Sequence, residues 1–189
     1  MATASAVSTV RRYRWTRADY DRVIDVGGFG PEDRIELLDG ELWEMTPHGS
    51  RHAAVCAAVA DVVRGAFGEQ FHVRSQSPVA LDDESEPEPD LAVIPGRALD
   101  YLGEHPGRPL LVAEVSESSL SFDRGRKLAA YARNGVPEYW ILNLAAGALE
   151  VHQVPEGDGY ASVYVLRKGD TVTPVHAPNA TIAVDDILP

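Results

Sequence analysis

The chain has 189 residues, 44% of them hydrophobic and 24% charged, which suits a single globular domain able to bury about two thirds of its unfolded surface. No apolar run approaches the roughly 20 residues that span a bilayer, and the first ten residues hold no apolar signal core, which argues against membrane and secreted classes. A net charge of −12 argues against a broad nucleic-acid-binding face, although screening beyond about 8 Å leaves room for a local basic patch.

Residues 1–12 read as a flexible leader and 13–189 as one domain. Thr16 with Asp19 three positions on predicts an N-cap and a short helix. Two apolar runs between Arg34 and Met45, joined by Asp39-Gly40, predict a hairpin, because that pair tolerates the positive φ angles of a tight turn. Val55, Val59, Val62, Val63 and Phe67 recur at helical spacing and predict a helix over 50–67. Short strands are expected at 71–75 and 78–81. Residues 82–88 are acidic and proline-bearing, a loop. A strand over 90–94 is stopped by Pro95-Gly96. Residues 97–109 read as a loop or helix fragment.

Residues 110–116 form the most apolar run and predict a central strand. A helix over 123–133 ends at Asn134-Gly135. A buried strand over 138–144 precedes a hairpin-rich tail with strands near 149–154, 160–166, 171–175 and 181–184. The fold class is α/β, a mixed sheet flanked by helices, with some α+β character from the β-rich tail.

Two acidic residues interrupt the apolar strands. Asp90 opens its strand and Glu114 lies within its own, and a carboxylate in an apolar run is costly to bury unless paired or metal-bound. Strand alternation could instead place Glu114 on a solvent face. Their separation of 24 residues allows adjacent strands whose carboxylates enter one cleft. Lys127 follows on a helix where Asp123, Lys127 and Tyr131 share one face, so a plain Asp123–Lys127 surface ion pair is the alternative for the lysine. Hard oxygen ligands beside an ammonium are what divalent-metal phosphodiester chemistry needs.

His48, His52 and Cys56 fall at four-residue intervals. Pro47 and Gly49 keep the helix from reaching His48, however, and the sequence offers no further nearby ligand to complete a zinc tetrahedron. Cys56 is the sole cysteine, which rules out an internal disulfide and fits a reducing cytoplasm. No Gly-x-Ser-x-Gly elbow or phosphate-cradling glycine loop is present, which disfavours esterases and P-loop enzymes.

Four ordered stretches carry a family resemblance: Glu-Pro-Asp-Leu-Ala-Val-Ile (88–94), Val-Ala-Glu-Val-Ser (112–116), Asp-Arg-Gly-Arg-Lys-Leu-Ala-Ala-Tyr (123–131) and Gly-Val-Pro-Glu-Tyr-Trp-Ile-Leu (135–142). With Glu36–Leu42 and His52 upstream, the chain resembles the PD-(D/E)XK, or restriction-endonuclease-like, nucleases over residues 16–188. Within them it is similar to the bacterial Uma-two family. The resemblance implies a restriction-endonuclease-like fold and an endonuclease that hydrolyses DNA phosphodiesters. It implies Mg²⁺ or Mn²⁺ held by Asp90, Glu114 and the Val115 carbonyl.

One departure is clear: Ser116 stands where the superfamily's usual lysine falls, and Lys127 is its natural replacement. Glu36 would be the auxiliary acid, with His52, Ser116 and Tyr131 at the site edge. Glu138 reads as structural.

Arg124 and Arg126 are the candidate DNA contacts, with Arg133 nearby and Arg11, Arg12, Arg14 and Arg17 in a basic N-terminal cluster. A homodimer is expected, because cutting both strands calls for paired sites. Two further classes stay open, a binding or regulatory module without turnover and an RNA or small-nucleotide phosphodiesterase.

Overall fold

The computed structural model describes residues 10–30, 32–47 and 49–189. Residues 1–9 of the expected leader and His48 lie outside them. Arg12, at the end of the expected leader, pairs with Glu41 at 2.6 Å.

Helix α1 (Arg17–Asp25) starts as the sequence predicts. Thr16 Oγ1 accepts from the Asp19 amide, and the Asp19 carboxylate accepts from the Thr16 amide, so two orphan donors are satisfied reciprocally. Strands β1 (Ile35–Leu38) and β2 (Glu41–Glu44) form the expected hairpin, with Asp39 and Gly40 at φ 52° and 67°. A side chain at position 40 would also meet Arg14 Cβ at 3.0 Å, so glycine suits the turn twice over. Helix α2 (Ser50–Phe67) matches its predicted span and ends at Gly68, which takes the φ of 73° that L-residues avoid.

Among the described residues, six strands build the central sheet in chain order: β3 (Phe71–Ser75), β4 (Leu91–Pro95), β5 (Leu111–Ser116), β6 (Glu138–Asn143), β7 (Ala148–Glu156) and β8 (Gly159–Arg167). Only β5 and β6 run parallel; the other neighbours are antiparallel. The parallel pair needs a crossover, and the helix after β5 supplies it.

That helix begins earlier than the sequence suggests. Leu120–Phe122 (α3) leads into a π-turn over Asp123–Lys127 and then α4 (Leu128–Arg133). The Leu128 amide bonds back five residues to the Asp123 carbonyl, which inserts an extra residue into the turn.

The two faces of the sheet carry separate cores. Leu111, Ala113 and Val115 of β5 pack toward α2 with Val59, Val63 and Trp140. The alternate residue Val112 packs toward Tyr131, Tyr139 and Ile141 on the α4 side. This period of two fixes the face of Glu114.

Strands β7 and β8 outrun their expected spans, whereas the last two tail strands are shorter than expected. Strands β9 (Thr171–Val172) and β10 (Ile182–Ala183) pair with each other, and Val172, Ile182, Val184 and Ile187 join the α2-side core. Buried Glu138 accepts from Trp140 Nε1, Gln153 Nε2 and the Val175 amide, which ties the tail to the sheet.

The strand expected at 78–81 does not form. Pro78 lacks an amide donor, and the amides of Val79, Ala80 and Leu81 bond to the carbonyls of Pro87, Pro106 and Ser85. The segment belongs to no ladder. No helix among the described residues is long and apolar enough to cross a membrane.

Candidate active site

The site lies where β4 begins and β5 ends. Antiparallel pairing sets Leu91 opposite Ala113, so Asp90 and Glu114 stand side by side at the mouth of the two strands. The Asp90 amide points at Glu114 Oε2 at 3.4 Å. Asp90 Oδ2 accepts from the Val115 amide at 2.8 Å and lies 3.1 Å from His52 Nε2, which arrives from the first turn of α2. Burial opposes charge on Asp90, but the His52 hydrogen bond and charge, with the Val115 amide, hold its carboxyl below the ordinary range.

Glu114 is 4% exposed, so the solvent-face alternative fails. Its Oε1 accepts from Lys127 Nζ at 2.9 Å and from Tyr131 Oη at 2.8 Å. Lys127 Nζ also lies 3.4 Å from Glu36 Oε2, delivered by β1. The alternative of a surface Asp123–Lys127 pair therefore fails as well. Both residues are buried, and the π-turn swings the ammonium to Glu114 and Glu36. Asp123 instead accepts from the hydroxyls of Ser116 and Ser119.

Burial disfavours the charged ammonium, yet Glu114, Glu36 and Asp123 outweigh it and raise Lys127 above its ordinary value. Burial pushes Glu114 up to about 8 against the pull of Lys127, and Asp90, Asp123 and Glu36 add to the rise. Four carboxyls thus crowd one ammonium. That surplus of negative charge suits a divalent cation.

The donor chemistry fits a hard cation as well. Glu36 Oε1 is buried without a hydrogen-bond partner among the described residues, and Glu36, Asp90, Glu114 and Val115 all line one cleft. Unpartnered buried oxygen is costly unless something else satisfies it.

The cleft brings together six of the sequence candidates, Glu36, His52, Asp90, Glu114, Val115 and Lys127. Tyr131 and Ser116 touch it through Glu114 and Asp123. Arg124 and Arg126 lie elsewhere. Arg124 grips Glu150 with two hydrogen bonds, and Arg126 pairs with Glu41 while its guanidinium sits 4.6 Å from the centre of the Trp43 ring.

Three charged cleft residues escaped the sequence reading, Arg34, Glu88 and Glu117. Glu88 had a signal, since it opens the Glu-Pro-Asp stretch. Arg34, one residue before the first hairpin strand, had none.

Residues 17–185 match the family described as "Uma2: Putative restriction endonuclease". The chain belongs to the Uma2 family. A solved structure from Anabaena variabilis, described as a putative nuclease belonging to DUF820, superposes with a TM-score of 0.69 at 11% identity. The match covers 91% of the Uma2 chain and 96% of its neighbour, so the two share a fold. No curated protein matches the sequence.

Proposed function

We propose that this Uma2 chain is a metal-dependent DNA endonuclease. The observation that carries the reading is the convergence of Asp90, Glu114, Glu36 and Lys127 in one cleft at the strand ends. The family description and the printed name of the Anabaena structure support a nuclease; the carboxylate surplus supports a divalent cation.

Asp90 and Glu114, with Val115, would hold Mg²⁺ or Mn²⁺. Such an ion polarises a phosphodiester and makes water a stronger acid. Lys127 supplies a fixed positive charge beside the reacting phosphate, pre-oriented by Glu114 and Glu36, so little reorganisation is needed as charge develops. Tyr131 steadies Glu114 through a second hydrogen bond to the same Oε1. His52 and the Val115 amide fix Asp90 through its Oδ2. Cutting both strands calls for two such sites, and the reading includes a homodimer.

A second reading, a nucleic-acid-binding or regulatory module without turnover, draws on Lys127 itself. The lysine is 1% exposed and already paired twice.

Calorimetric titration of Mn²⁺ into the wild type and the Asp90→Ala, Glu114→Ala double variant tests the metal site, and a panel of DNA substrates tests turnover. Saturable binding lost in the variant, with Mn²⁺-dependent cleavage, is the expected result. Metal binding with stoichiometric DNA binding and no cleavage favours the module. Cleavage retained by Asp90→Ala overturns the assignment.

A further inference from the structure

Asp90 has a second set of neighbours. His52 and Cys56 occupy successive turns of α2 on one face, and the fold brings Asp90 against them from 34 residues further along the chain. His52 Nε2 lies 3.1 Å from Asp90 Oδ2 and 3.9 Å from Cys56 Sγ, and the ligand atoms of all three residues fall within 4.8 Å of one another. A tetrahedral zinc ion with bonds of roughly 2.0–2.3 Å sets its ligands about 3.3–3.8 Å apart. The three side chains need only small rotations to meet that figure.

We propose that His52, Cys56 and Asp90 form a zinc-binding site, separate in chemistry from the hard-cation site and sharing Asp90 with it. The donor set is one imidazole nitrogen, one sulfur and one carboxylate oxygen. Sulfur and imidazole favour zinc, whereas Mg²⁺ takes oxygen alone. Cys56 binds as the thiolate, its proton passing to solvent. His52 and Asp90 line the open cleft, from which water can supply a fourth ligand.

The sequence spaces His48, His52 and Cys56 four residues apart, but the helix does not reach His48 and no closing ligand stands nearby. Asp90 is that ligand, and it comes from a strand rather than from the helix. Zinc on Asp90 draws a carboxylate away from the hard-cation site and slows any Mn²⁺-dependent cleavage. That last consequence alone rests on the nuclease reading.

Co²⁺ titrated into the metal-free full chain serves as the spectroscopic probe. The expected result is a saturable thiolate-to-cobalt absorption band in the near ultraviolet at one equivalent. Zn²⁺ reverses the band, Cys56→Ser abolishes it, and His52→Ala weakens it.

As a second readout, Zn²⁺ slows alkylation of the sole cysteine in the wild type by at least about tenfold, because the coordinated thiolate is a poor nucleophile. If Cys56→Ser fails to fold by circular dichroism, this wild-type protection decides alone. Alkylation at an unchanged rate, or a band that survives in folded Cys56→Ser, overturns the site.

Neither readout needs cleavage. Failure of the nuclease reading shows separately, as Mn²⁺ binding that ignores Asp90 and Glu114. Zinc binding that leaves Mn²⁺-dependent cleavage unchanged upholds the site and overturns only its effect on the nuclease.

Discussion

Lys127 Nζ lies 2.9 Å from Glu114 Oε1 and 3.4 Å from Glu36 Oε2, so one ammonium bridges a central strand and the first hairpin. All three side chains are nearly sealed from solvent, at 1–5% exposure. Breaking a buried ion pair from one side leaves an uncompensated charge and costs about 3–5 kcal/mol. Lys127→Met should therefore destabilise the metal-free protein by about that amount in urea melts. A cycle with Glu36→Gln should show a coupling of about 1–3 kcal/mol. A coupling near zero would mean that the hairpin does not feel the lysine.

The elevated Glu114 carboxyl gives the protein a pH signature. Its folded value of about 8 exceeds the ordinary 4.5. A carboxyl raised on folding contributes stability that is fully present below its unfolded value and lost as pH rises through its folded one. The metal-free protein should thus lose stability between about pH 4.5 and 8 from this group. Metal ligation needs the carboxylate, so apparent Mn²⁺ affinity should climb over the same window and level off above it. Calorimetry at pH 6.5 in buffers of differing ionisation enthalpy should detect a proton released per Mn²⁺ bound. Equal affinities at pH 6.5 and 8.5 would exclude Glu114 as the group that sets it.

Tyr131 donates to the same Glu114 oxygen that Lys127 holds, at 2.8 Å. Tyr131→Phe removes one donor to a buried carboxylate and should destabilise the protein by about 1–3 kcal/mol. Losing a hydrogen bond to the ionised form also raises the carboxyl further. The pH midpoint of Mn²⁺ binding should move upward in the variant. A stability loss with an unmoved midpoint would make Tyr131 a packing residue only.

Much of this architecture is legible in the sequence, because local chemistry dictates it. Thr16 and Asp19, Asp39-Gly40, and the apolar face of 50–67 each specify an element without help from distant residues. Asp90 and Glu114 on apolar strands foretell one cleft, since paired carboxylates must share a neutralising partner. The failures are non-local. Four-residue spacing puts Asp123 opposite Lys127 only in a regular α-helix, and the π-turn removes that register. The Glu36–Lys127 pair joins positions 91 residues apart, which no periodicity encodes. Pro78–Leu81 has the composition of a strand, but its amides find carbonyls in other loops.

The path of nucleic acid over an acidic protein is decided by which guanidinium groups are available. Arg124 already donates from two nitrogens to Glu150, at 2.8 and 2.7 Å, and Arg126 is shared between Glu41 and the Trp43 ring. Arg34 instead lines the cleft beside Glu88. Each phosphate contact adds about 0.9 to the slope of log affinity against log salt on duplex DNA. Arg34→Ala should therefore lower that slope by about 0.9, measured by fluorescence anisotropy with Ca²⁺ in place of Mn²⁺. Arg124→Ala should leave it unchanged, because the Glu150 pair already satisfies the guanidinium. An equal drop in Arg124→Ala or Arg126→Ala would carry the phosphate path over the α4 side of the molecule. In that case DNA must break the Arg124–Glu150 or Arg126–Glu41 pair to bind, and the corresponding Glu→Gln variant should bind more tightly than the wild type.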